Sequence, residues 1–437
     1  TSTGMSLTPE PGYTPPVSPA PTVLDERAPV ANLTRNIVIQ GIDDAAWRSA
    51  GFGAHVMVMD LRSKIVIDGV EMRRMGQAGA LGRYPMHWHM LSYANGSLLG
   101  DAIGHSIKNS AIWQSAQRCI VLHATNGVEV RNNICHDIAG HAYFLEDAVE
   151  RRNVIEGNLA LMIRSPAAGK ALKVHETPIF QAGASGFWLT NPDNTVRANL
   201  AGDAQGNGFW LSFARKPSGP SANVALLPDR LPLGVFDDNI AHSNGQPGIN
   251  LDWVVQDEAG NVAPSRYMPT VDGSESRSDN TLRVAMRRNT VYKNGGHGLW
   301  NRVNRPDYPE WVSADNAGVH FAGAGDDGVI SRGLLVGQSL NHSGAYPPGA
   351  QLPSAFATYH STFAMRDNTA VNFAFVDGQS SGVFRTNDYY TLGVDKGAKV
   401  GFETIRLRFD IDTDAPQDKI DQLLKLTERY CVVFQTL

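Results

Sequence analysis

The sequence contains little cysteine, no excess of basic charge and no long apolar segment. Three cysteines stand among the 437 residues, Cys119, Cys135 and Cys431, and their spacing predicts neither a disulfide framework nor a zinc-ribbon site. No apolar run approaches the roughly 18 residues that suggest a transmembrane helix, so we expect no membrane span. The net charge of −5 provides no basic field. We therefore expect no nucleic-acid partner, and an anionic ligand would need a local basic groove.

Glycine and proline, by contrast, are abundant, with 43 and 24 residues respectively. This composition favours many short strands joined by tight turns over a helical fold. Residues 1–30 contain the segment PEPGYTPPVSPAPTV, which we interpret as an extended proline-rich arm. The chain starts at Thr1 without an initiator methionine or an apolar leader, and we expect a processed or trimmed product.

A repeat follows the arm. An asparagine, two apolar residues, a polar turn, a glycine and a second apolar strand recur in this order. The strong copies start at Asn133, Asn199, Asn239 and Asn289. In the last three copies nine residues separate the asparagine from the glycine before the second strand (199→208, 239→248 and 289→298). A weaker copy runs from Asn109 to Arg118.

Short strands repeating at this distance predict a solenoid, and the absence of a helical period favours a right-handed parallel β-helix over residues 31–385. Asparagines at one turn position predict an internal ladder of amides bonded from coil to coil. The coils differ in length, so loops must leave the solenoid. The longest candidates, 164–183 and 253–280, are expected to build a binding groove.

The C-terminal residues 386–437 depart from this pattern. An alternating strand, GFETIRLRFDIDT, precedes DKIDQLLKLTERY at 418–430, whose leucines and isoleucine have helical spacing. We predict an amphipathic helix there. The fold class is thus all-β, with a short α+β C-terminal segment that serves as a cap or is a fused remnant.

The stretch LGRYPMHWHML carries the first candidate site residues. In a strand, positions i and i+2 face the same side, so His87 and His89 converge with Trp88 opposite. Equivalent positions on the next coil of a parallel β-helix stack about 4.8 Å away. Aligning Leu122 with Leu145 places His123 over Glu146, 23 residues later, although alignment on the repeat asparagines shifts this register by about one residue.

Several imidazoles and two carboxylates thereby gather on one face of neighbouring coils. The group comprises His87, His89, His123, His141, Glu146 and Asp147. Three imidazoles with a carboxylate could bind a transition metal, a carboxylate pair would suit calcium, and the same residues without metal could serve as general acid and base in glycosidic cleavage. A polar ladder without chemistry is the alternative.

Four further residues are candidates for substrate contact. Arg83 and Arg118 lie near the histidine column and could hold an acidic group, or they are surface or ladder arginines. Trp188 and Trp210, in successive GFWL strands 22 residues apart, could form a platform for sugar stacking, or they belong to the wall of the solenoid.

An ordered series of motifs resembles a known family. GRYPMHWHM, RCIVLHATNG, GHAYFLED, GFWLTNPDN, GFWLSF, IAHSN, YKNGGHG and LLVGQS resemble the β-helical domain of the cell-migration-inducing and transmembrane hyaluronidases, with fibrocystin-like proteins as more distant relatives. The resemblance runs from about Asp25 to Ser339. The short chain with few cysteines, compared with the disulfide-bearing animal proteins, indicates a microbial member.

This resemblance implies a secreted or extracellular β-helix that breaks down hyaluronan or a related acidic polysaccharide with a divalent cation. The positions that match the motifs are Arg83, His87, His89, Arg118, His123, His141, Glu146 and Asp147. On this hypothesis His87, His89 and His141 bind the metal, Glu146, Asp147 and His123 with the two arginines are catalytic, and Trp188 and Trp210 bind substrate. Calcium, zinc and copper all stay open, as do hydrolysis and β-elimination.

The tail resembles a different group of proteins. KVGFETIRLRFDIDTDAP and KIDQLLKLTERYCVVFQTL are similar to the C-terminal half of osmotically inducible, organic-hydroperoxide-resistance proteins. Cys431 matches the cysteine of their RYC-type motif. Its partner cysteine has no equivalent, because Cys119 and Cys135 lie in the β-helix, so we do not expect peroxide reduction.

We therefore predict a monomeric polysaccharide depolymerase with a histidine-rich site. Two alternatives compete with this prediction. One is a metal-dependent enzyme, such as a copper oxidase, that acts on a substrate other than a sugar. The other is a carbohydrate-binding or adhesion solenoid without catalysis, whose function would survive replacement of His87 and His89.

Overall fold

A computed structural model describes residues 21–178, 182–342, 353–358, 362–373, 382–392 and 415–430. Most of the predicted proline-rich arm and the end of the chain from Cys431 lie outside the described residues. Nothing in the structure tests the predicted boundaries at residues 30 and 385, which stay predictions.

The chain is the predicted right-handed parallel β-helix. Successive coils place strands in three sheets, in which each strand pairs in parallel with the equivalent strand one coil away. We call these the site sheet, the long sheet and the short sheet. The strands are short because each coil must turn at every corner.

Within the described residues, the site sheet contains these strands in order: Val56–Val58, Met86–His89, Ile120–His123, Tyr143–Leu145, Phe187–Leu189, Phe209–Leu211, Ile249–Leu251, Leu299–Arg302, Phe321–Ala324 and Phe356–Thr358. The short sheet contains Val66–Asp68, Ser106–Lys108, Glu129–Arg131, Val154–Glu156, Thr195–Arg197 and Val235–Asp237.

The long sheet contains Ile37–Gln40, Val70–Met75, Ala111–Ser115, Ile134–Ala139, Leu159–Arg164, Leu200–Ala204, Ile240–His242, Thr290–Tyr292, Val312–Ala314, Leu334–Val336, Thr362–Phe373, Gly328–Ser331, Pro306–Pro309 and Val284–Ala285. Beside this order, Thr362–Phe373 also pairs with Gly382–Leu392 in antiparallel orientation. The order shows that the later coils pass their third strand into this sheet.

Besides these strands, the described residues form helices and hairpins. The α-helices are Ala45–Ala50 and Gln417–Tyr430, the second of which confirms the helix predicted at 418–430. The 3-10 helices are Val174–Glu176, Gly219–Ser221 and Pro228–Arg230. The hairpins are Tyr93–Ala94 with Ser97–Leu98, and Trp253–Val255 with Val262–Pro264.

The predicted asparagine ladder is present and buried. Each side-chain amide donates to the side-chain oxygen of the next coil, at 3.0 to 3.2 Å, along the series Asn133, Asn158, Asn199, Asn239 and Asn289. Every rung also satisfies a backbone amide of the preceding coil, which would otherwise be buried without a partner. The ladder therefore locks the register of five coils.

A left-handed residue precedes each of these rungs, and before the first four rungs it turns the chain from the short sheet into the long sheet. Asn132, Ala198 and Asp238, with φ of 54°, 54° and 59°, are examples. In the weak copy of the repeat, Asn109 occupies this turn position, and Ser110 takes the place of the rung asparagine, donating its backbone N–H to Asn133 Oδ1. The prediction that Asn109 starts a repeat copy was thus one residue out of register.

A disulfide crosses the interior between the site sheet and the long sheet. It joins Cys119 and Cys135, both fully buried, with 6.2 Å between their Cα atoms. The prediction from cysteine spacing was wrong here. The two residues belong to neighbouring coils, and their separation of 16 residues reflects the path around the solenoid rather than a compact disulfide module.

The N-terminal segment runs along the outside of the long sheet as a strap, residues 24–35. Near its end, Arg35 donates its backbone N–H to Glu71 of an early coil, at 3.3 Å. Near its start, the buried carboxylate of Glu26 accepts from Lys293 Nζ at 3.1 Å and Ser339 Oγ at 3.2 Å. The strap thus joins the two halves of the solenoid.

Replacing a central rung of the ladder should destabilise the fold. Asn199→Ala removes four hydrogen bonds, two accepted from Asn158 and two donated to Ile155 O and Asn239 Oδ1. We expect the free energy of unfolding to fall by about 3 kcal/mol because buried amides lose their partners. Urea denaturation followed by circular dichroism measures this change.

The exposed Asn223 provides the matched control. Asn223→Ala should change the free energy of unfolding by no more than about 0.5 kcal/mol. Equal effects of the two substitutions would contradict a structural role for the ladder.

Candidate functional site

A cavity of about 480 Å³ lies on the outer face of the site sheet. Trp88 and Leu122 point into the solenoid, so the alternating residues His87, His89 and His123 point outward. The predicted groove loops 164–183 and 253–280 both contribute to the lining, through Lys173 and His175 and through Asp257 and Glu258. The loops bury the outer face locally, which keeps its polar groups in a low dielectric.

Three histidines converge on one point of this cavity. The strand Met86–His89 pairs with Ile120–His123 so that His89 lies directly opposite His123. One nitrogen from each of His87, His89 and His123 lies within 4.8 Å of the other two. The rings of His87 and His123 are parallel, with centroids 6.0 Å apart, and His89 lies edge-on to both.

The tautomer of His87 is set by the backbone. Its Nδ1 lies 3.1 Å from Gly82 O, and a carbonyl can only accept, so Nδ1 carries the hydrogen. Nε2 is then an acceptor, and this buried atom has no hydrogen-bond partner in the described structure. Burial, with the neighbouring His123 and His89, lowers the pKa of His87 to about 3, which keeps the ring neutral.

The orientation of His123 is set by a carboxylate. Nε2 lies 2.9 Å from Asp147 Oδ2, and Nδ1 lies 3.2 Å from His89 Nδ1. Burial opposes the charge on His123, but Glu146 and Asp147 outweigh it and raise the pKa of His123 to about 9. Asp147 is held in turn by buried Glu150, which accepts the backbone N–H groups of Asp147 and Ala124 at 2.8 Å each.

The three imidazoles fit a transition metal that displaces the proton of His123 Nδ1, because a metal-binding nitrogen must be deprotonated. Two nitrogens that bind one tetrahedral ion at about 2.0–2.1 Å lie roughly 3.3 Å apart, close to the 3.2 Å between the Nδ1 atoms of His89 and His123. His87 bonded to a carbonyl and His123 bonded to a carboxylate match the usual outer partners of metal-binding histidines. Zinc and copper take such nitrogen donors, whereas calcium takes oxygen ligands, so this set does not fit calcium.

A buried guanidinium lies beside the histidines. Arg118 is fully buried, its Nε donates to Glu176 Oε1 at 2.6 Å, and its Nη1 donates to Tyr84 OH at 3.3 Å. Its guanidinium carbon stacks 3.8 Å from the centroid of the Phe144 ring. Burial alone would raise the pKa of Glu176, but the charge of Arg118 holds this pKa below its ordinary value.

The cavity retains polar atoms that the described residues do not satisfy. Besides His87 Nε2, these are Arg118 Nη2 and Glu146 Oε2, each buried on a lining residue. Glu146 Oε1 lies 3.8 Å from Arg118 Nη1, and Glu146 Oε2 lies 3.7 Å from His123 Nδ1. An unsatisfied acceptor, donor and carboxylate in one cavity are the features of a ligand-binding site.

The predicted register is confirmed. Leu122 lies opposite Leu145, and the contact between His123 and Glu146 follows from it. Seven of the predicted site residues line the cavity: His87, His89, Arg118, His123, Glu146, Asp147 and Trp188.

Two of the remaining predicted residues lie elsewhere. Arg83 points to the surface, where its Nη1 lies 3.0 Å from His55 Nε2, and it is absent from the cavity lining. His141 is absent from the cavity lining, and both of its ring nitrogens are already bonded, Nδ1 to Ser185 N and Nε2 to His175 Nδ1. It is not placed to bind the same ion.

The two tryptophans do not form the predicted sugar platform. Trp188 and Trp210 are buried beneath the loops, and His175 stacks on Trp188 with ring centroids 4.1 Å apart. Trp210 Nε1 donates to Trp253 O, at 2.8 Å, in the covering hairpin. Trp188 contributes to the cavity wall, but an open aromatic face is not available.

Four site residues were missed by sequence reasoning: Tyr84, Glu150, His175 and Glu176. Tyr84 stands inside the GRYP motif, so proximity to His87 was an available signal. Glu150 lies three residues after Asp147, beyond the strand. His175 and Glu176 belong to a loop without periodicity, so strand alternation could not place them.

Comparisons with known proteins identify similar chains. Residues 51–249 match the family model described as CEMIP beta-helix. The human protein named cell surface hyaluronidase CEMIP2 is 31% identical over 367 residues, which cover 73% of this chain and 26% of that protein.

Two mouse proteins are also similar. Cell migration-inducing and hyaluronan-binding protein is 28% identical over 472 residues, covering 92% of this chain and 34% of its own length. Fibrocystin-L is 34% identical over 292 residues, covering 59% of this chain and 6% of its own length. This chain therefore spans no more than about a third of these relatives. The comparisons do not support the resemblance predicted for the C-terminal segment, which stays a prediction.

Removal of the buried guanidinium should destabilise the protein strongly. Arg118→Met leaves the carboxylate of Glu176 buried with only the loop amides of Leu172 and Lys173 as partners. We expect the free energy of unfolding to fall by about 3–5 kcal/mol, measured by urea denaturation. Adding Glu176→Gln should recover part of this loss because it removes the uncompensated charge.

The exposed pair of Arg197 with Glu156 is the matched control. Arg197→Met should lower the free energy of unfolding by about 1 kcal/mol at most. An effect of Arg118→Met no larger than that of Arg197→Met would contradict the buried ion pair.

Proposed function

Residues 51–249 of this chain belong to the CEMIP β-helix family, and we propose that the protein depolymerises hyaluronan or a related acidic polysaccharide. The name of one relative supports cleavage and that of another supports binding of hyaluronan. Because the chain spans only part of each relative, the proposal needs support from the cavity itself.

The observation that supports this proposal is a set of three buried polar atoms that lack hydrogen-bond partners among the described residues in one site. Arg118 Nη2 is a charged donor, His87 Nε2 is an acceptor, and Glu146 Oε2 is a carboxylate oxygen. The carboxylate of an acidic sugar is complementary to the guanidinium of Arg118. A reaction that breaks the bond to an adjacent sugar needs an acid or base such as Glu146.

Each residue then has a role in the proposed reaction. Arg118 pairs with the carboxylate of a uronate residue and is kept rigid by Glu176 and Phe144. Glu146 transfers a proton to or from the substrate, since its Oε2 has no hydrogen-bond partner among the described residues. Asp147 holds His123 in place through Nε2. The product decides between hydrolysis and elimination, because a new ultraviolet-absorbing double bond identifies a lyase.

We further propose that His87, His89 and His123 hold a divalent transition metal, with zinc and copper as the candidates. Such an ion would polarise a substrate oxygen or lower the pKa of a bound water. The three imidazoles would supply the ligands, and Gly82 O and Asp147 would fix their orientation.

An extracellular location is part of the proposal. The disulfide between Cys119 and Cys135 is typical of proteins in oxidising compartments. Similar proteins are named as cell-surface hyaluronidases. Among the described residues, no helix has the length and apolar character needed to cross a membrane.

The first test is a polysaccharide panel. Wild-type protein should shorten hyaluronan, measured by size-exclusion chromatography with detection of new reducing ends. Glu146→Gln should lower the rate by about 100-fold or more, within the range expected for general acid–base catalysis. Glu129→Gln, on the short sheet away from the cavity, should retain the wild-type rate. Equal rates for the two variants would contradict the role of Glu146.

The second test is elemental analysis. Wild-type protein should bind about one equivalent of zinc or copper, and His87→Ala should lose it because one of three ligands is absent. His242→Ala, a buried histidine stacked on Tyr292 outside the cavity, should retain the metal. Calcium as the bound ion would contradict the assignment of the three histidines.

The same experiments separate the alternative functions. Copper without polysaccharide cleavage would favour an oxidase that acts on another substrate. Binding of hyaluronan that survives both His87→Ala and Glu146→Gln, with no cleavage by wild-type protein, would favour a carbohydrate-binding solenoid without catalysis.

A further inference from the structure

A second pair of histidines is not used by the proposed reaction: His175 lines the same cavity, and His141 is fully buried next to it. Ser185 N–H donates to His141 Nδ1 at 3.0 Å, and His141 Nε2 lies 3.0 Å from His175 Nδ1. A backbone amide can only donate, so His141 Nδ1 must accept, and the hydrogen of His141 sits on Nε2. His175 Nδ1 then accepts that hydrogen, which leaves the hydrogen of His175 on Nε2.

The direction of that Nε2–H bond is fixed by two constraints. His175 stacks on Trp188, with ring centroids 4.1 Å apart and an angle of 6° between the planes, which sets the plane of the imidazole. The bond from His141 sets its rotation within the plane. The 3-10 helix Val174–Glu176 anchors the backbone, because Glu176 is paired with Arg118.

The pair is also held neutral by geometry. A second proton on His175 would sit on Nδ1 and face the hydrogen of His141 Nε2, and a second proton on His141 would face Ser185 N–H. Burial lowers the pKa of both rings, and the nearby Arg118 contributes in the same direction. His175 therefore offers an uncharged donor, whereas Arg118 offers a charged one.

We propose that His175 is a substrate-binding residue whose Nε2–H donates to the acetamido carbonyl of an N-acetylated sugar, and that His141 is its positioning residue. The assignment rests on the proposed function. Within the described structure Nε2 of His175 has no hydrogen-bond partner, and the residue lines the cavity.

The surroundings of His175 favour an acetamido group over other acceptors. An amide carbonyl is a strong uncharged acceptor that suits a neutral donor. Its methyl group needs an apolar surface, which the partly exposed Val255 provides in the same lining. The carboxylate of an acidic sugar is better matched to Arg118. The cavity would thus recognise a polymer that carries both acidic and N-acetylated sugars.

The test compares hyaluronan with chemically N-deacetylated hyaluronan of the same length. An ammonium group cannot accept a hydrogen bond, so wild-type protein should prefer the acetylated polymer by about tenfold or more in kcat/KM. His175→Phe keeps the stack on Trp188 but removes the donor. We expect it to lower kcat/KM on the acetylated polymer by about 10- to 100-fold and to reduce the preference to about threefold or less.

Two substitutions at His141 test positioning. His141→Phe retains His175 but frees its tautomer, and should lose most of the preference. His141→Gln can accept from Ser185 N–H and donate to His175 Nδ1, and should restore it at least in part. Thermal unfolding shows whether each variant is folded, and a folded His141→Gln that behaves like His141→Phe overturns the positioning role.

His297 offers a matched control outside the cavity. It also stacks on a tryptophan, Trp300, with centroids 4.7 Å apart, and its Nδ1 also accepts a backbone N–H, from Val319 at 2.9 Å. His297→Phe should leave the preference unchanged. A folded His175→Phe that keeps the wild-type preference overturns the assignment.

The outcomes separate this assignment from the proposed function. Cleavage by wild-type protein that does not distinguish the two polymers overturns the assignment and supports depolymerisation. If neither polymer is cleaved, calorimetric binding of oligosaccharides is the readout. Acetyl-dependent binding that His175→Phe weakens and His297→Phe does not would then support the assignment while the proposed cleavage fails. Equal binding of the acetylated and the N-deacetylated oligosaccharides would overturn the assignment of His175.

Discussion

Register between coils is the constraint on which the rest of this structure depends. Side chains alternate across each strand, so a slip of one residue would turn His89 and His123 into the apolar interior and bring Trp88 and Leu122 to the surface. The buried amides from Asn133 to Asn289 oppose such a slip, because each rung pairs with a single partner on the next coil. The histidine cluster is a consequence of this alignment.

The loops that cover the site sheet bury the charged residues on its outer face and so strengthen the interactions between them. The outer face carries Arg118, which would be a solvated surface residue if the loop residues 172–176 and the hairpin from Trp253 did not cover it. Buried charges are costly unless they are paired, so the same loop that excludes water also brings Glu176 to the guanidinium. One loop thus both excludes water from Arg118 and supplies the opposite charge of Glu176.

Sequence reasoning succeeded where the period of the strands decides position. The distance between Leu122 and Leu145 predicted the meeting of His123 with Glu146, and the repeat predicted most rungs of the ladder. It missed the rung at Asn158, whose coil has a different turn, and placed Asn109 one residue away from the true rung at Ser110.

Failures occurred where contacts are made by loops or through the interior. Residues in 164–183 follow no period, so His175 and Glu176 could not be located, and the partner of His141 was therefore unknown. The same loop buries Trp188, which removed the expected stacking platform. The disulfide connects neighbouring coils across the core, a relation that depends on the closed path of each coil rather than on cysteine spacing.

The strap has a consequence for how this solenoid unwinds. In most repeat proteins each coil touches only its neighbours, so the ends can fray while the middle stays folded. Here Glu26 meets Lys293 across 267 residues of sequence, while Arg35 holds an early coil. Fraying of the first coils would pull the strap from the later ones and expose the apolar contact of Leu24 with Tyr292, Leu334 and Val336. We therefore expect the first coils and those around Lys293 to unfold together, and the coils between them, including those of the cavity, to be protected from partial opening.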